Sequence, residues 1–587
     1  MSAQEGDQTG LAPIVLESVR IRNFRGLRDL AVDLDPNLTL LVGRNNCGKT
    51  RILRAIALAL GAIPADVDDF TIGLGDSPMI DVIIAPAPGS PDGLFVDDVG
   101  QVLEPQPTSD DSERFAWRTT IVRSAEGHGA VRQESVLRFD PNDGWFKPTV
   151  APALSREQRR LLVADLIDTQ RDLATEMGLR GSAIRRILND LELPDEVRES
   201  IEDDLKKLSQ RIVSESGALA AVEDSLKRAE AHVGGFGQPS IAPIPARIEE
   251  LSRSVSLELD SGSGATPLRL HGSGPRSLAS LLVQSVLYDR RMGRDGPDRR
   301  PHPVTLVEEP EAHLHPQMQA ELPRLLSAVP GQLVVSSHSI TLASEVDHKA
   351  IRLIRSTEPS VVSLAPFQAS AHRLTNPDHH VEEVEKLKRM VERPFGELLF
   401  ASAVVIGDGA TERSLLPPLL RHALGSGAHG VSVIDPGSMG QPFSIAAVKF
   451  AEAVGIPWHL FADGDAPGRQ AAAKIIGDRI GEKEPEETWV TFVHDSDATE
   501  QMFIETSAGV CRAAIAAIVG TESAPEVPTV ADMKKLKGAI GRFLADALIQ
   551  ELPLVDDWPD CLRTLVDRVQ EMTAANATSL PRVPDVV

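Results

Sequence analysis

Apolar and polar positions change their spacing several times along the chain, and each change marks an element. Val19 and Ile21 alternate with polar neighbours and Phe24 follows, which predicts a strand; Leu30 to Leu34 predicts a second. Leu38 to Val42 is a short, mostly apolar run, the pattern of a buried strand. It leads through a glycine-bounded loop into a helical stretch, RILRAIALAL. PMIDVIIAP, FAWRTTIVR and ESVLRF read as β segments between residues 66 and 150. From 155 to 233 the pattern turns helical and charged, with Leu205, Leu208 and Ile212 on one face and breaks at Gly181 and Pro194. VTLV from Val304 and QLVVSS from Gln332 are two more strands. Pro366 to His380 is largely polar, and VEEVEKLKRMVERP reads as a connecting helix. Strand and helix patterns then resume in LLFASAVVIGDGATE, WHLFADGDAPGR and VTFVHDSDATEQMFI.

These patterns predict an α/β chain of two main units. The expected division is a disordered tail over 1–14, a first unit over 15–365 and a connecting segment over 366–397. A second α/β unit covers 398–510, a helical region 511–573 and a loose tail 574–587. The helical stretch 155–233 is expected to be an insert in the first unit, either a dimerisation arm or a helical layer packed on its own head. No internal repeat is present.

Composition narrows the class. At 587 residues the chain exceeds what one hydrophobic core serves. Hydrophobic content of 42% and charged content of 25% are ordinary for a globular protein. No apolar run reaches the roughly 18 residues of a membrane helix, and MSAQEGDQTG lacks the basic and apolar regions of a secretory signal. Cys47, Cys511 and Cys561 are far apart, without metal-type spacing. A cytoplasmic protein without membrane association is expected. The formal net charge of −25 argues against a generally basic nucleic-acid coat, but leaves room for a local basic groove.

The loop after Val42 is Gly43-Arg-Asn-Asn-Cys-Gly48-Lys49-Thr50, which fits G-x-x-x-x-G-K-[ST] in strand–loop–helix context. Backbone N–H groups can turn around phosphates, Lys49 can reach the β and γ phosphates, and Thr50 can ligate Mg²⁺. Gly43, Asn45, Asn46, Gly48, Lys49 and Thr50 are the expected ATP contacts. The strand VTLV ends on Glu308 and Glu309: one carboxylate for the metal side, the next to orient water. His338 ends the strand in QLVVSSHS, placed to sense a γ-phosphate.

RNFRGLRDL, GRNNCGKT, EEPEAHLHP and SSHS, in this order, resemble the ATPase head of the ABC class, close to its recombination and chromosome-structure branch. The resemblance implies a signature Ser-Gly loop that closes on the nucleotide of another subunit. HGSGPRSLASLL, with Ser273 and Gly274, is the best match, though it departs from LSGGQ-like wording. Glu308 stands where the family usually has Asp. ATP sandwiched between two heads implies a homo-oligomer, dimer or tetramer.

A second set of acids lies in the later unit. Asp408 follows the strand AVVIG, and Glu412 falls in the first turn of the next helix. Asp463 and Asp465 flank Gly464 after WHLFA, and Asp495, Asp497 and Glu500 follow VTFV. Carboxylates gathered at strand ends repel unless neutralised, and hard divalent cations suit all-oxygen sites. EF-hand spacing is absent.

An acid, a glycine, a second acid and then D-x-D resemble the Toprim domain of topoisomerases, primases and some nucleases. That family usually opens on Glu, so Asp408 is a departure. An ABC-type head followed by Toprim resembles the OLD (overcoming lysogenisation defect) family of ATP-dependent endonucleases, to which the Gabija anti-phage large subunit belongs. The resemblance covers residues 15 to 510. It implies that Asp408, Glu412, Asp463 and Asp465, with Glu500, hold Mg²⁺ or Mn²⁺ for phosphodiester cleavage of double-stranded DNA. It also implies a basic residue after Toprim, Lys537 or Arg542. A helicase encoded nearby is an expected partner of a Gabija-like chain. The alternative is an ATP-dependent DNA-binding or clamp protein with a degenerate Toprim site. A topoisomerase would need a catalytic tyrosine, and the single tyrosine, Tyr288, lies in the head.

Overall fold

The computed structural model describes residues 13–72, 75–124, 129–167, 194–220, 243, 258–260, 265–267, 301–312, 314, 316–356, 369–373, 395–428, 430–435, 442–453, 455–477, 488–493 and 499–577. Ser273, Gly274, Tyr288, Asp495, Asp497, the expected connecting helix and both outer tails' ends lie outside these residues.

Among the described residues the first unit has two six-stranded sheets, besides the two-stranded pairs Arg138–Asp140 with Gly144–Phe146 and Glu258–Asp260 with Ala265–Pro267. Strands β1 (Ile14–Phe24), β2 (Leu27–Asp33), β4 (Met79–Pro86), β5 (Glu113–Arg123) and β6 (Ala130–Val136) pair antiparallel in the order β2-β1-β4-β5-β6; Gln106–Pro107 also pairs β5. The second sheet is built from β3 (Leu38–Val42), β7 (Leu162–Ile167), β8 (His302–Glu308), β9 (Gln332–Ser337), β10 (Ile351–Ser356) and β11 (Ala369–Arg373). Its order is β7-β8-β9-β3-β10-β11, parallel except for the last pair. Helix α1 (Lys49–Ala59) starts from Gly48 at φ 107 and buries Ile52, Leu53, Ile56 and Ala57 between the sheets.

Two expectations are corrected here. Leu162–Ile167 is an edge strand of the parallel sheet rather than part of a helical insert. Its apolar run is short enough to fit either period, and pairing with β8 decides it. Ala369–Arg373 belongs to the head's sheet, beyond the boundary expected at 365; its polar residues suit an edge strand. Helix α2 (Asp195–Glu215) follows Pro194 as the sequence predicts. Its buried side is Ser209 and Val213, and Leu208 is exposed.

The second unit is a four-stranded parallel sheet, β13-β12-β14-β15, from β12 (Ala403–Gly407), β13 (Val431–Ile434), β14 (Trp458–Ala462) and β15 (Val490–Phe492). Alternation divides each strand between two cores. Val404 and Ile406 face one side, Ala403 and Val405 the other. The second side is covered by α5 (Ala410–Leu424), α8 (Thr499–Thr506), α9 (Ala508–Val519), α10 (Ile540–Glu551) and α11 (Asp560–Ala577). Helix α11 continues to Ala577 with Met572 and Thr573 buried, past the loose tail expected from 574.

The units share a core. Leu40, Val42, Val335 and Leu353 of the head sheet belong to one apolar cluster with Val404, Ile406 and Leu460 of the second sheet. Leu398 and Leu399, in the 3-10 turn Phe395–Phe400, join them. Among the described residues no single helix is long and apolar enough to cross a membrane.

Candidate functional site

At the first site, β3 delivers the phosphate loop and α1 leaves it. Gly43 adopts φ 154, and a Cβ there would stand 2.3 Å from the Ile354 carbonyl oxygen, so only glycine fits. Lys49 is 5% exposed, and its ammonium donates to the carbonyls of Gly43 at 2.9 Å and Arg44 at 3.0 Å. No carboxylate pairs with it among the described residues. Burial is the main cause that lowers its pKa. A buried, unpaired ammonium at a helix start suits a phosphate group. Asn46 accepts from Arg51 at 3.1 Å, and Asn45 is exposed.

The two acids of the pair point apart. The Thr50 hydroxyl donates to the Glu308 carboxylate. Glu309, at φ 42, is turned the other way, with Oε1 3.3 Å from His338 Nε2. His338 Nδ1 lies 3.5 Å from the Lys49 ammonium. Burial first, then Lys49, keeps the imidazole pKa low, so Nδ1 accepts and Nε2–H faces Glu309. Strain at a non-glycine φ of this sign is characteristic of functional turns.

Sequence reasoning missed Glu311. It is 7% exposed and accepts from the Ser337 hydroxyl at 2.7 Å and the His338 backbone N–H at 2.6 Å. The signal was present as a third acid in EEPEAHLHP, but its target is fixed only by the β8–β9 pairing.

At the second site, Asp408 follows β12 and Glu412 lies in the first turn of α5. Glu412 is 5% exposed; Oε2 accepts from the Gly409 N–H at 2.9 Å and Oε1 from the Thr499 hydroxyl at 2.6 Å. Burial raises its pKa. Asp463 follows β14, shares a hydrogen bond with Asp408, and accepts from the Thr499 N–H at 3.3 Å. Burial, then the charges of Asp408 and Glu412, hold its carboxyl well above the usual carboxylate range. Glu500, buried at the start of α8, adds to the repulsion on Glu412. Thr499, which the sequence did not single out, ties Glu412 to Asp463.

Asp465 is placed differently. Its Oδ1 caps α7 (Ala466–Ile476) by accepting from the Gly468 N–H at 2.8 Å. Among the described residues no three His, Cys, Asp or Glu side chains are arranged to hold an ion as they stand. The donor chemistry nevertheless fits a hard divalent cation: every contributor is a carboxylate, and the mutual repulsion of Asp408, Glu412 and Asp463 is what a cation would neutralise.

Lys537 reaches this site and Arg542 does not. Lys537 Cε lies 3.9 Å from where a Cβ on Gly409 would stand. Arg542 is exposed, 3.9 Å from Asp546. Gly541 makes the approach of α10 close: a Cβ there would stand 2.3 Å from the Thr411 carbonyl oxygen on α5.

A phosphate-loop head joined to an acid-rich parallel sheet is thus the class that fold and sites define. Comparisons with known proteins agree. Residues 15–73 match an AAA ATPase domain. Residues 150–344 match an AAA domain whose description also names the AbiEii toxin of Type IV TA systems. Residues 399–465 match the TOPRIM domain of overcoming lysogenization defect protein-like proteins. The chain therefore carries AAA-type ATPase and OLD-like TOPRIM domains, the pairing read from its motifs. It is 24% identical over 513 residues to an uncharacterized protein, YbjD, of Escherichia coli, over 84% of this chain and 87% of that one. It is also 24% identical over 479 residues to an OLD nuclease of Thermus scotoductus, over 77% and 82%. A solved Smc head bound to the C-winged helix domain of ScpA aligns with 61% of this chain and 98% of that one, at 14% identity and a TM-score of 0.34.

Proposed function

We propose that the chain is a nucleotide-regulated, divalent-metal-dependent DNA endonuclease acting in the cytoplasm in anti-phage defence, as a homo-oligomer. The observation that carries this reading is the gathering of Asp408, Glu412, Asp463 and Glu500 at the carboxyl ends of the two central strands, beside Lys537. Double-stranded DNA is the proposed substrate, and a helicase encoded nearby the proposed partner.

Asp408, Glu412, Asp463 and Glu500 would hold Mg²⁺ or Mn²⁺, with Asp465 contributing the oxygen that does not cap α7. A bound divalent ion would supply charge neutralisation and a more acidic water. Thr499 fixes the rotamers of Glu412 and the position of Asp463. Lys537 brings positive charge to the Asp408–Glu412 turn, where a scissile phosphate needs it. In the head, Lys49 and the loop amides bind the phosphates of ATP, Thr50 and Glu308 form the Mg²⁺ side, and Glu309 orients water with His338 as sensor. Ser273 and Gly274 remain the proposed contacts to a second head.

Asp408 in place of the usual Glu favours a second reading, a DNA-binding or clamp protein whose Toprim site has lost cleavage. Cleavage of supercoiled plasmid with Mg²⁺ or Mn²⁺, with and without ATP, separates the two. Cutting that is lost in chelator and in Asp463→Ala/Asp465→Ala supports the nuclease. DNA binding without cutting under every condition supports the clamp.

A further inference from the structure

Strands β3 and β10 leave the head sheet side by side. Their register pairs Leu40 with Ile351, Leu41 with Arg352 and Val42 with Leu353. Past the end of β3, a Cβ on Gly43 would stand 2.3 Å from the Ile354 carbonyl oxygen, so the next residues of the two segments, Arg44 and Arg355, leave from neighbouring points, close enough for their charges to interact. Neighbouring strands run about 5 Å apart, so two guanidinium side chains start from adjacent positions.

Arg44 points out of the phosphate loop toward the second unit. Its Nη2 lies 3.3 Å from where a Cβ on Gly430 would stand, and the Ser402 hydroxyl lies 3.0 Å from the same point. Among the described residues neither Arg44 nor Arg355 has a carboxylate or other hydrogen-bond acceptor. Elsewhere the chain pairs its arginines: Arg20, Arg22, Arg25, Arg54, Arg114 and Arg118 each reach a carboxylate. Burial, then the neighbouring Arg44 charge, brings Arg355 down to about 10, so it remains a cation at neutral pH. Like charges held side by side repel, and both guanidinium side chains are half-buried, where water screens them less than at an open surface. An anion is the missing component.

We propose that Arg44 and Arg355 form a phosphate-binding site at the junction of head and Toprim units, separate from the cradle that Lys49 serves. Guanidinium forks suit phosphate oxygens. The phosphate could come from a nucleotide, a nucleic-acid backbone or free solution, and the chemistry of recognition is the same. The site does not depend on the nuclease reading, because its test reads occupancy and not cleavage.

Full-length Lys49→Ala protein, with the cradle disabled, is melted with and without inorganic phosphate. Lys49→Ala/Arg44→Met and Lys49→Ala/Arg355→Met are melted alongside. Phosphate is expected to raise the Tm of the single variant and not of the double variants. Arg44→Met should melt no lower in phosphate-free buffer, since it relieves repulsion. Two arms name the source. If DNA supplies the phosphate, Arg44→Met lowers the log–log salt slope of DNA binding in chelator by about 1. If a nucleotide does, the variant weakens binding of labelled ATP. Loss of the phosphate response alone names the free anion. An equal response in single and double variants, or an Arg44→Met chain that melts lower without phosphate, overturns the proposal.

Discussion

The backbone N–H of His338 donates to the buried Glu311 carboxylate at 2.6 Å. One side chain thereby fixes the end of β9 to the turn after β8 and presents the imidazole between Lys49 and Glu309. Hydrogen bonds to charged groups contribute about 1.5–3 kcal/mol. Glu311→Ala is expected to lower the ATP turnover number by roughly 10- to 100-fold, with labelled-ATP affinity little changed. Steady-state hydrolysis and equilibrium binding check the split, and equal losses in both would assign Glu311 to folding instead.

Lys537 should matter for cleavage and Arg542 should not. Only Lys537 approaches the Asp408–Glu412 turn, whereas Arg542 sits in solvent near Asp546. Removing a charge aimed at a developing anion costs about 10²–10³ in rate. Plasmid nicking by Lys537→Ala should fall by that order, while Arg542→Ala keeps its rate. The reverse ranking would refute the assignment.

The acids at the Toprim strand ends repel one another until neutralised. Asp463→Asn is therefore expected to raise Tm by a few degrees in chelator and to abolish cutting. Mg²⁺ or Mn²⁺ should raise the Tm of the native chain and leave that of Asp463→Ala/Asp465→Ala unmoved. Melting curves with and without each ion decide it; an ion-independent Tm in the native chain would count against a metal centre.

His459 sets a pH dependence of stability. It is fully buried in β14, where Nδ1–H donates to the Thr488 carbonyl at 3.1 Å and Nε2 accepts from the Thr491 hydroxyl at 2.8 Å. Burial pushes its pKa down from 6.5 to about 4. Below pH 6.5 the unfolded chain takes up a proton that the folded chain refuses. Stability should fall as pH drops from 6.5 to about 4, by up to roughly 3 kcal/mol, with no contribution above 6.5. Denaturant midpoints of native and His459→Gln protein across this window measure it: the variant should show the shallower fall.

Features carried by contiguous residues were legible in the sequence. The phosphate loop, the strands ending on Glu308 and Asp408, and the D-x-D turn are local patterns in which neighbours fix one another. Features made by packing were not. Thr499 meets Glu412 and Asp463 only because α8 folds back over the strand ends, and Lys537 arrives only because Gly541 lets α10 cross α5 closely. Leu162–Ile167 carries a run that either period accommodates, and a distant strand chose for it. Asp465 shows a further limit: spacing gave its place in the turn, but the N–H of Gly468 took its oxygen.

The apolar cluster through Leu398 and Leu399 bears on how a nucleotide signal could travel. Leu40 and Val404 lie in the same dry interior, so the head cannot swing on Toprim like a lid on a hinge without wetting that surface. Within one chain the two sheets must move as a single block. In an oligomer of the kind proposed, nucleotide-driven movement would then fall outside the block, in the spacing between one molecule and the next and the reach of the side chains at its surface.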